Sequence, residues 1–530
     1  MNHGKIYMST KYHMINNHLS SQRTLSISVF ISGMATMAVE FLASRLLGNV
    51  FGTSNIVWAS IIGLILLYLT AGYWLGGKLA DRSPQIKNFY QIMIWAGFAI
   101  GIIPIVSRPI LQVSADAFDQ LALPILFGSF ASVLILFIIP VTLLGMIPPF
   151  ALRLNISETN QAGKISGRLS AISTLGSFLG TFVTVLIFIP LIGTYRSFII
   201  FSLLVTAIAL LGLWVSNHKR LVLTYAWIPL LVLLIGYLGI TGPDKRTEGL
   251  IIEDESAYNY IQVLEKDGFR YLRLNEGQGM HSIYHPTQYF YGGPWSQVLV
   301  ALFFNPAPYP IEEIKNIAII GLAAGTSARQ ANYLYPGVHV DGYEIDPNII
   351  SLGRDYFDMN FPNLSVFVED GRWGIAHSNN FYQIISVDAY RPPYIPPHMT
   401  TIEFFEVTKS KLSPDGVLTL NVGRSSMDRK LVDALSNTLL QVYPNIFIVD
   451  IADTFNTIIF APKNPLASWD HFFRNYYLAK GTGNDDLVDL MSISINGHAG
   501  QPTSSVVFTD DKTSIEWITN KIVLDYIFTD

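Results

Sequence analysis

The chain has 530 residues, half of them hydrophobic and only 14% charged, with a formal net charge of −5. The charge is unevenly placed: residues 1–245 hold 15 Lys and Arg against 6 Asp and Glu, leaving 19 against 33 in residues 246–530. An acidic second half excludes nucleic acid as an expected partner, since phosphate contact needs the opposite sign. The absence of cysteine excludes a disulfide framework and a thiolate metal site.

A basic, charge-poor half joined to an acidic half implies two solvents, lipid and water. Residues 1–24 read as a polar N-terminal tail. They lack the short apolar core and small-residue cleavage site of a signal peptide, so the first apolar run is expected to be a retained helix. Seven apolar runs follow, at about 25–48, 55–76, 89–107, 122–150, 168–192, 196–215 and 222–241, within a transmembrane domain at 25–245. Each is close to the roughly 20 residues a spanning helix needs, and none shows the polar face of a soluble bundle. The longest contains Pro140, Pro148 and Pro149, any of which can break a helix.

Lys5, Lys11 and Arg23 precede the first run; Lys78, Arg82 and Lys87, then Arg153, Lys164 and Arg168, then Lys219 and Arg220 fall in alternate loops. The intervening loops carry only Arg108 and Arg196, which predicts a cytoplasmic N-terminus in the cell (inner) membrane. The stretch GYWLGGKLADR, Gly72 to Arg82, resembles the cytoplasmic loop after the second helix of major facilitator transporters, whose glycines allow a tight turn and close packing. Glu40 and Arg45 lie within the first run. Intramembrane charges are costly and are functional candidates by default; the plainer reading has Arg45 snorkelling and Glu40 pairing with a neighbouring helix.

Near residue 245 the pattern changes to Gly, Pro and charge. Short alternating runs from Ser256 to His285 predict a small antiparallel β-subdomain at 250–310. From Asn316, within a domain at 311–530, apolar β-branched strands alternate with amphipathic helices: NIAIIG, VHVDGYEI, LSVFVED, YQIISVD, GVLTLNV, NIFIVD and NTIIFA are the strands. This predicts a doubly wound, mostly parallel α/β sheet of Rossmann type, whose ligands bind at the carboxyl ends of the strands.

Four strand ends carry suitable chemistry. The first reads Gly321-Leu-Ala-Ala324-Gly325-Thr326, where small residues let the backbone approach a ligand. The second places Glu344 about 20 residues on, suited to two ribose hydroxyls. The third, Glu369-Asp370-Gly371, is placed to accept from an adenine amino group, and the fourth ends in Asp388. Singly, Glu344 and Asp370 read equally well as helix caps; together and in this order, the four point to a nucleotide.

Residues 256–460 resemble the spermidine synthase (polyamine aminopropyltransferase) family, and the whole chain resembles its membrane-fused branch. The resemblance runs through IAIIGLAAGTSARQA, VDGYEIDPNII, VEDGR, YQIISVDAYRPPYIPPHMTTIEFFE and LSPDGVLTLNV. It implies a methyltransferase-type Rossmann-like sheet behind a small β-domain. Decarboxylated S-adenosylmethionine, or S-adenosylmethionine, is the implied co-substrate, a small-molecule amine the acceptor, and no metal is required. It also implies roles: Glu344 on the ribose, Asp370 with Gly371 on the adenine, Asn259 where the family usually has a nucleotide-contacting Gln, and Asp388 as the catalytic acid residue that helps deprotonate the acceptor.

The chain departs from the family at three points. Ala324 stands where an Asp usually binds the aminopropyl ammonium, Arg391 replaces the second catalytic-motif Asp, and Gln288 to Trp295 replaces a segment with polyamine-binding acids. Losing two carboxylates from a cation site weakens it for a polyamine. The proline-stiffened stretch Asp388 to Thr401 offers Tyr390, Arg391, Tyr394 and His398 to a substrate cleft, with His281, Tyr284 and Trp295 as further lining candidates; a lid that only packs is the plainer reading. A methyltransferase and a non-catalytic nucleotide or polyamine sensor or transport component remain alternatives. A homodimer is compatible with the sequence. Seven crossings would carry the second half outside, whereas an S-adenosyl substrate is expected inside, so the side of the soluble domain is open.

Overall fold

The computed structural model describes residues 3–51, 55–121, 125–156, 162–238, 247–275, 279–389, 395–425, 428–515 and 517–519. It divides into two units, Met1–Arg246 and Thr247–Asp530.

In the first unit seven helices are long and apolar enough to cross a membrane: Gln22–Asn49, Val57–Arg82, Ile86–Gln112, Ala131–Asn155, Ala162–Ile192, Thr194–Val215 and Lys219–Leu238. They fall on the seven apolar runs. Three details differ from the sequence reading. The first helix begins at His3, so the polar tail is helical rather than irregular; after Gly4 it holds no Gly or Pro to interrupt a helix until Gly33. The second helix runs unbroken to Arg82, so Gly72 and Gly76 serve packing and make no turn. A Cβ on Gly72 would lie 2.4 Å from the Thr142 carbonyl oxygen, and one on Gly76 2.6 Å from Met146 Cα, so the second and fourth spans meet backbone to backbone. The fourth span does break, but at Met146 and without changing the count: one helix ends at Gly145 with Pro140 inside it, and the next, Ile147–Asn155, carries Pro148 in its first turn, where the missing N–H costs nothing.

The second unit begins with a four-stranded antiparallel sheet of β1 (Leu250–Glu255), β2 (Tyr260–Lys266), β3 (Phe269–Leu274) and β4 (Met280–Tyr284) in sequential order. The first of these strands lies upstream of the run that the alternation marks. A short helical stretch, Pro294–Phe304, leads into the larger sheet. Its strands are β5 (Asn316–Ile320), β6 (His339–Glu344), β7 (Leu364–Val368), β8 (Tyr382–Val387), β9 (Leu412–Gly423), β10 (Phe447–Asp450) and β11 (Asn456–Pro462), in the order β10-β11-β9-β8-β5-β6-β7. β5 pairs in parallel with both β6 and β8, and among the seven strands only β11 is reversed, running antiparallel to both β9 and β10.

The helices between and after them are α1 (Thr326–Leu334), α2 (Pro347–Tyr356), α3 (Gly371–His377), α4 (Ile402–Lys411), α5 (Lys430–Leu440), α6 (Trp469–Ala479) and α7 (Asp485–Asn496). Apolar side chains on both faces of the sheet are buried against them, as expected for near-continuous Val, Ile and Leu strands. The chain leaves β5 toward β6 and β7, then returns to place β8 and β9 on the other side. The order therefore reverses next to β5, which is where a doubly wound sheet opens a crevice for ligands.

Candidate active site

The four strand ends named from the sequence meet at that crevice. Gly321 closes β5 at φ +86°, and a Cβ there would lie 2.5 Å from the Asp388 carbonyl oxygen, so only glycine fits against the end of β8. The amides of Gly321 and Leu322 both donate to the Tyr343 carbonyl, at 2.9 and 3.0 Å, tying the turn to β6. The Glu369 amide donates to the Glu344 carbonyl at 3.2 Å, joining β6 to β7. Gly371 packs on Ile320, whose Cγ2 would be 2.3 Å from a Cβ at that position. Gly325, at φ +83°, starts α1, with Met359 against it.

The two readings offered for the acids separate here. Glu344 is not a helix cap. Its carboxylate accepts from the Ala323 amide at 3.0 Å and the Asp346 amide at 3.1 Å, linking the glycine turn to the loop after β6. It is buried, and burial pushes its carboxyl up to about 7. The cap of α2 is instead Asp346, whose Oδ1 accepts from Asn348 N at 3.1 Å. Asp370 is a cap: its Oδ1 accepts from Trp373 N at 3.0 Å. Its Oδ2 lies 2.9 Å from His398 Nε2, and that contact above all holds its carboxyl below the usual range. His398, expected in the substrate cleft, thus meets the acid that ends β7.

Asp388 ends β8, half-buried, with its amide donating to the Ile320 carbonyl at 2.8 Å. Burial pushes its carboxyl up to about 6, against the opposing pull of a 2.8 Å hydrogen bond from Asn421 Nδ2. Asn421, on β9, gave no signal in the sequence; its Oδ1 is buried with no hydrogen-bond partner among the described residues.

The small sheet is fastened to the crevice. Asn259 donates to Asp346 Oδ2 at 2.9 Å and accepts from Asn275 Nδ2 at 2.9 Å; Ser256 donates to the same Asp346 oxygen at 2.5 Å. Asn259 thus lies one residue pair from Glu344, on a network that sequence spacing alone does not reveal. Ser282 Oγ, on β4, accepts from the Ala324 amide at 2.9 Å, and Thr326 Oγ1 exchanges hydrogen bonds with the Ile283 backbone. The Ala324 side chain is buried, in a cluster that also holds Ile261, Val263 and Leu272 of the small sheet and Ile349, Leu352 and Phe357. Tyr284 faces the Arg329 guanidinium at 4.4 Å, and the Trp295 carbonyl accepts from Ser327. Burial holds the His281 imidazole down to about 4, hence neutral near pH 7. Tyr390, Arg391 and Tyr394 lie outside the described residues.

The arrangement offers a small-residue turn, a ribose-suited carboxylate, an adenine-suited carboxylate and a carboxylate raised toward the pH range of a general base, along one edge of one sheet. Residues 300–460 match the spermine/spermidine synthase domain. A probable polyamine aminopropyl transferase of Bifidobacterium longum is 30% identical over 305 residues, covering 55% of this chain and 67% of that protein. A polyamine aminopropyltransferase of Vibrio vulnificus is 34% identical over 206 residues, covering 37% of this chain and 65% of that protein. Among solved structures, a probable spermidine synthase from Corynebacterium glutamicum aligns with 49% of this chain and 98% of its own, at 17% identity and a TM-score of 0.37.

Proposed function

The chain belongs to the polyamine aminopropyltransferase family, and from that premise we propose that it moves an aminopropyl group from decarboxylated S-adenosylmethionine to an amine acceptor at the carboxyl ends of β5, β6, β7 and β8. The observation that supports this most is the meeting of Glu344, Asp370 and Asp388 around the Gly321 turn, all inside the matched residues. Glu344 holds the ribose hydroxyls and Asp370 the adenine amino group. Asp388 takes a proton from the acceptor ammonium, since the protonated amine has no lone pair to attack with. The free amine then attacks the propyl carbon bonded to the sulfonium. That C–S bond breaks with its electron pair going to sulfur, which leaves as the neutral thioether of methylthioadenosine.

Arg391 marks the acceptor side as altered from a polyamine site, so the acceptor is an amine whose recognition does not rest on that carboxylate, and Ala324 leaves the donor's aminopropyl ammonium to be held without the acid usual at that position. The seven apolar helices anchor the protein in the inner membrane, with the N-terminus cytoplasmic by the distribution of Lys and Arg. The test is to incubate the purified full chain with a panel of amines and either S-adenosylmethionine or its decarboxylated form, and to follow nucleoside products by mass spectrometry. Methylthioadenosine with an aminopropylated amine is the expected outcome. S-adenosylhomocysteine with a methylated amine would replace this reading with methyl transfer.

A further inference from the structure

The chain continues beyond the residues matched by the family description and doubles back. After α6 and α7, Gly497 and Ala499 bond to the backbone of β10, at 2.8 Å to Asp450 N and 2.9 Å to the Ile448 carbonyl. The chain then crosses α5: Thr503 Oγ1 donates to Asp433 at 2.7 Å, the Val506 carbonyl accepts from Asn437 at 2.9 Å, and the Phe508 amide donates to Thr438 Oγ1 at 3.1 Å. Phe508 is fully buried, and its carbonyl accepts from the Ile402 amide at the start of α4.

This strap delivers Asp510. Its carboxylate receives both ends of the Arg372 guanidinium, at 2.7 Å each, and the Thr401 hydroxyl at 2.8 Å; its amide donates to Glu403 at 3.0 Å. Arg372 stands two residues after Asp370, and its Nη1 also donates to the His398 carbonyl at 2.8 Å. His398 turns its ring to Asp370 Oδ2. One continuous set of contacts therefore joins a C-terminal residue to the acid assigned to adenine, across 140 residues of sequence.

The pair is partly exposed, with side-chain exposures of 23% for Arg372 and 43% for Asp510, so it adds little to overall stability. Its effect is geometric. A two-pronged guanidinium–carboxylate contact fixes the plane and position of Arg372, and hence the His398 backbone. An ionised carboxylate has about four acceptor positions. The cap to Trp373 and the ring of His398 each engage one oxygen, Oδ1 and Oδ2, which fixes the rotation of the Asp370 carboxylate.

We propose that Asp510 is a positioning residue for the nucleotide: the C-terminal strap, acting through Arg372 and His398, holds the Asp370 carboxylate in the orientation that meets adenine. The proposal rests on the reading of Asp370 as the adenine acceptor.

The test uses the full chain in detergent and calorimetric titration with methylthioadenosine, which carries adenine and ribose but no transferable group. Asp510→Ala is expected to weaken binding about threefold to thirtyfold, and Asp510→Glu to recover part of it. The double variant Asp510→Ala, His398→Ala is expected to bind no more weakly than His398→Ala alone, because both act through one contact. In turnover assays the loss is expected in the donor KM, with the acceptor KM unchanged. Unchanged affinity in Asp510→Ala, or losses that add in the double variant, would overturn the proposal. Should Asp510→Ala not fold, Asp510→Asn keeps the shape and the amide contact while removing the charge, and carries the same comparison. Failure of the unaltered protein to bind methylthioadenosine is a different result, and it removes the nucleotide reading itself.

Discussion

The two units of this chain are assembled by opposite means. In the membrane-type unit, helices meet where side chains are missing. A Cβ on Gly176 would lie 2.0 Å from the Phe30 carbonyl oxygen, one on Gly180 2.2 Å from that of Met34, and one on Gly33 2.3 Å from that of Ser173, so the first and fifth spans touch along their backbones. Some hydroxyls there turn back on their own helix, as Ser28 does to Thr24 and Thr36 to Ser32, and others use the close approach to bond across it, as Ser177 does to the Gly33 carbonyl at 3.2 Å. In the second unit the strands are held by large buried side chains, and polar groups gather at the strand ends. Lipid tails are as apolar as leucine, so a helix pair in a bilayer gains from close approach rather than from burial. Water rewards burial, and the polar residues that cannot be buried cheaply collect where a ligand can use them.

If the chemistry is confined to one unit, substitutions in it should leave the other intact. The largest expected effect is that of Asp388→Asn, which should lower turnover by about a hundredfold to ten-thousandfold while methylthioadenosine binding stays nearly unchanged; an unaltered rate would remove Asp388 as the base. Next, Glu344→Gln should weaken nucleotide binding by about tenfold to a hundredfold in calorimetry, through the loss of hydrogen bonds to a charged acceptor. The pH profile follows: Asp388 is held near 6, so protonation on acidification removes the base, and kcat/KM should fall about tenfold per pH unit below that value. A plateau reaching down to pH 4.5 would show that another group takes the proton. The smallest effect on chemistry belongs to the other unit. Gly176→Leu should lower the melting temperature of the membrane-type unit, at a cost of about 1–3 kcal/mol or more from overpacking, yet leave nucleotide affinity in the folded fraction unchanged. A parallel loss of affinity would show that the two units are energetically coupled.

Much of this was legible in the sequence because it was written in long apolar runs. Seven spans and seven strands of the larger sheet came from hydropathy and β-branching. β1 was missed because LIIEDE carries three acids in six residues and reads as part of the polar junction. α3 was missed because seven residues hold too few turns to show a period. At the site, the acids were legible but their division of labour was not. Glu344 and Asp346 are two residues apart and equally suited to capping, and only the direction of the backbone decides which one turns to the helix. Asn421, Ser282 and Asp510 carry no local signal, since each meets its partner across 33, 42 or 138 residues of chain.

Asp346 and Asp370 each hold a helix start while the second oxygen of the same carboxylate meets Asn259 or His398 in the proposed site, whereas among the described residues Glu344 and Asp388 cap no helix. The consequence concerns how such a protein can change. Replacing either capping acid damages the fold as well as the site, by about 1 kcal/mol for the lost cap alone, so a variant exploring new donors is penalised before any new chemistry can be tried. On the acceptor side, by the resemblance, Arg391 already stands in place of an acid of the catalytic motif. Divergence in this architecture should therefore run through what receives the transferred group, while the nucleoside it is taken from stays the same.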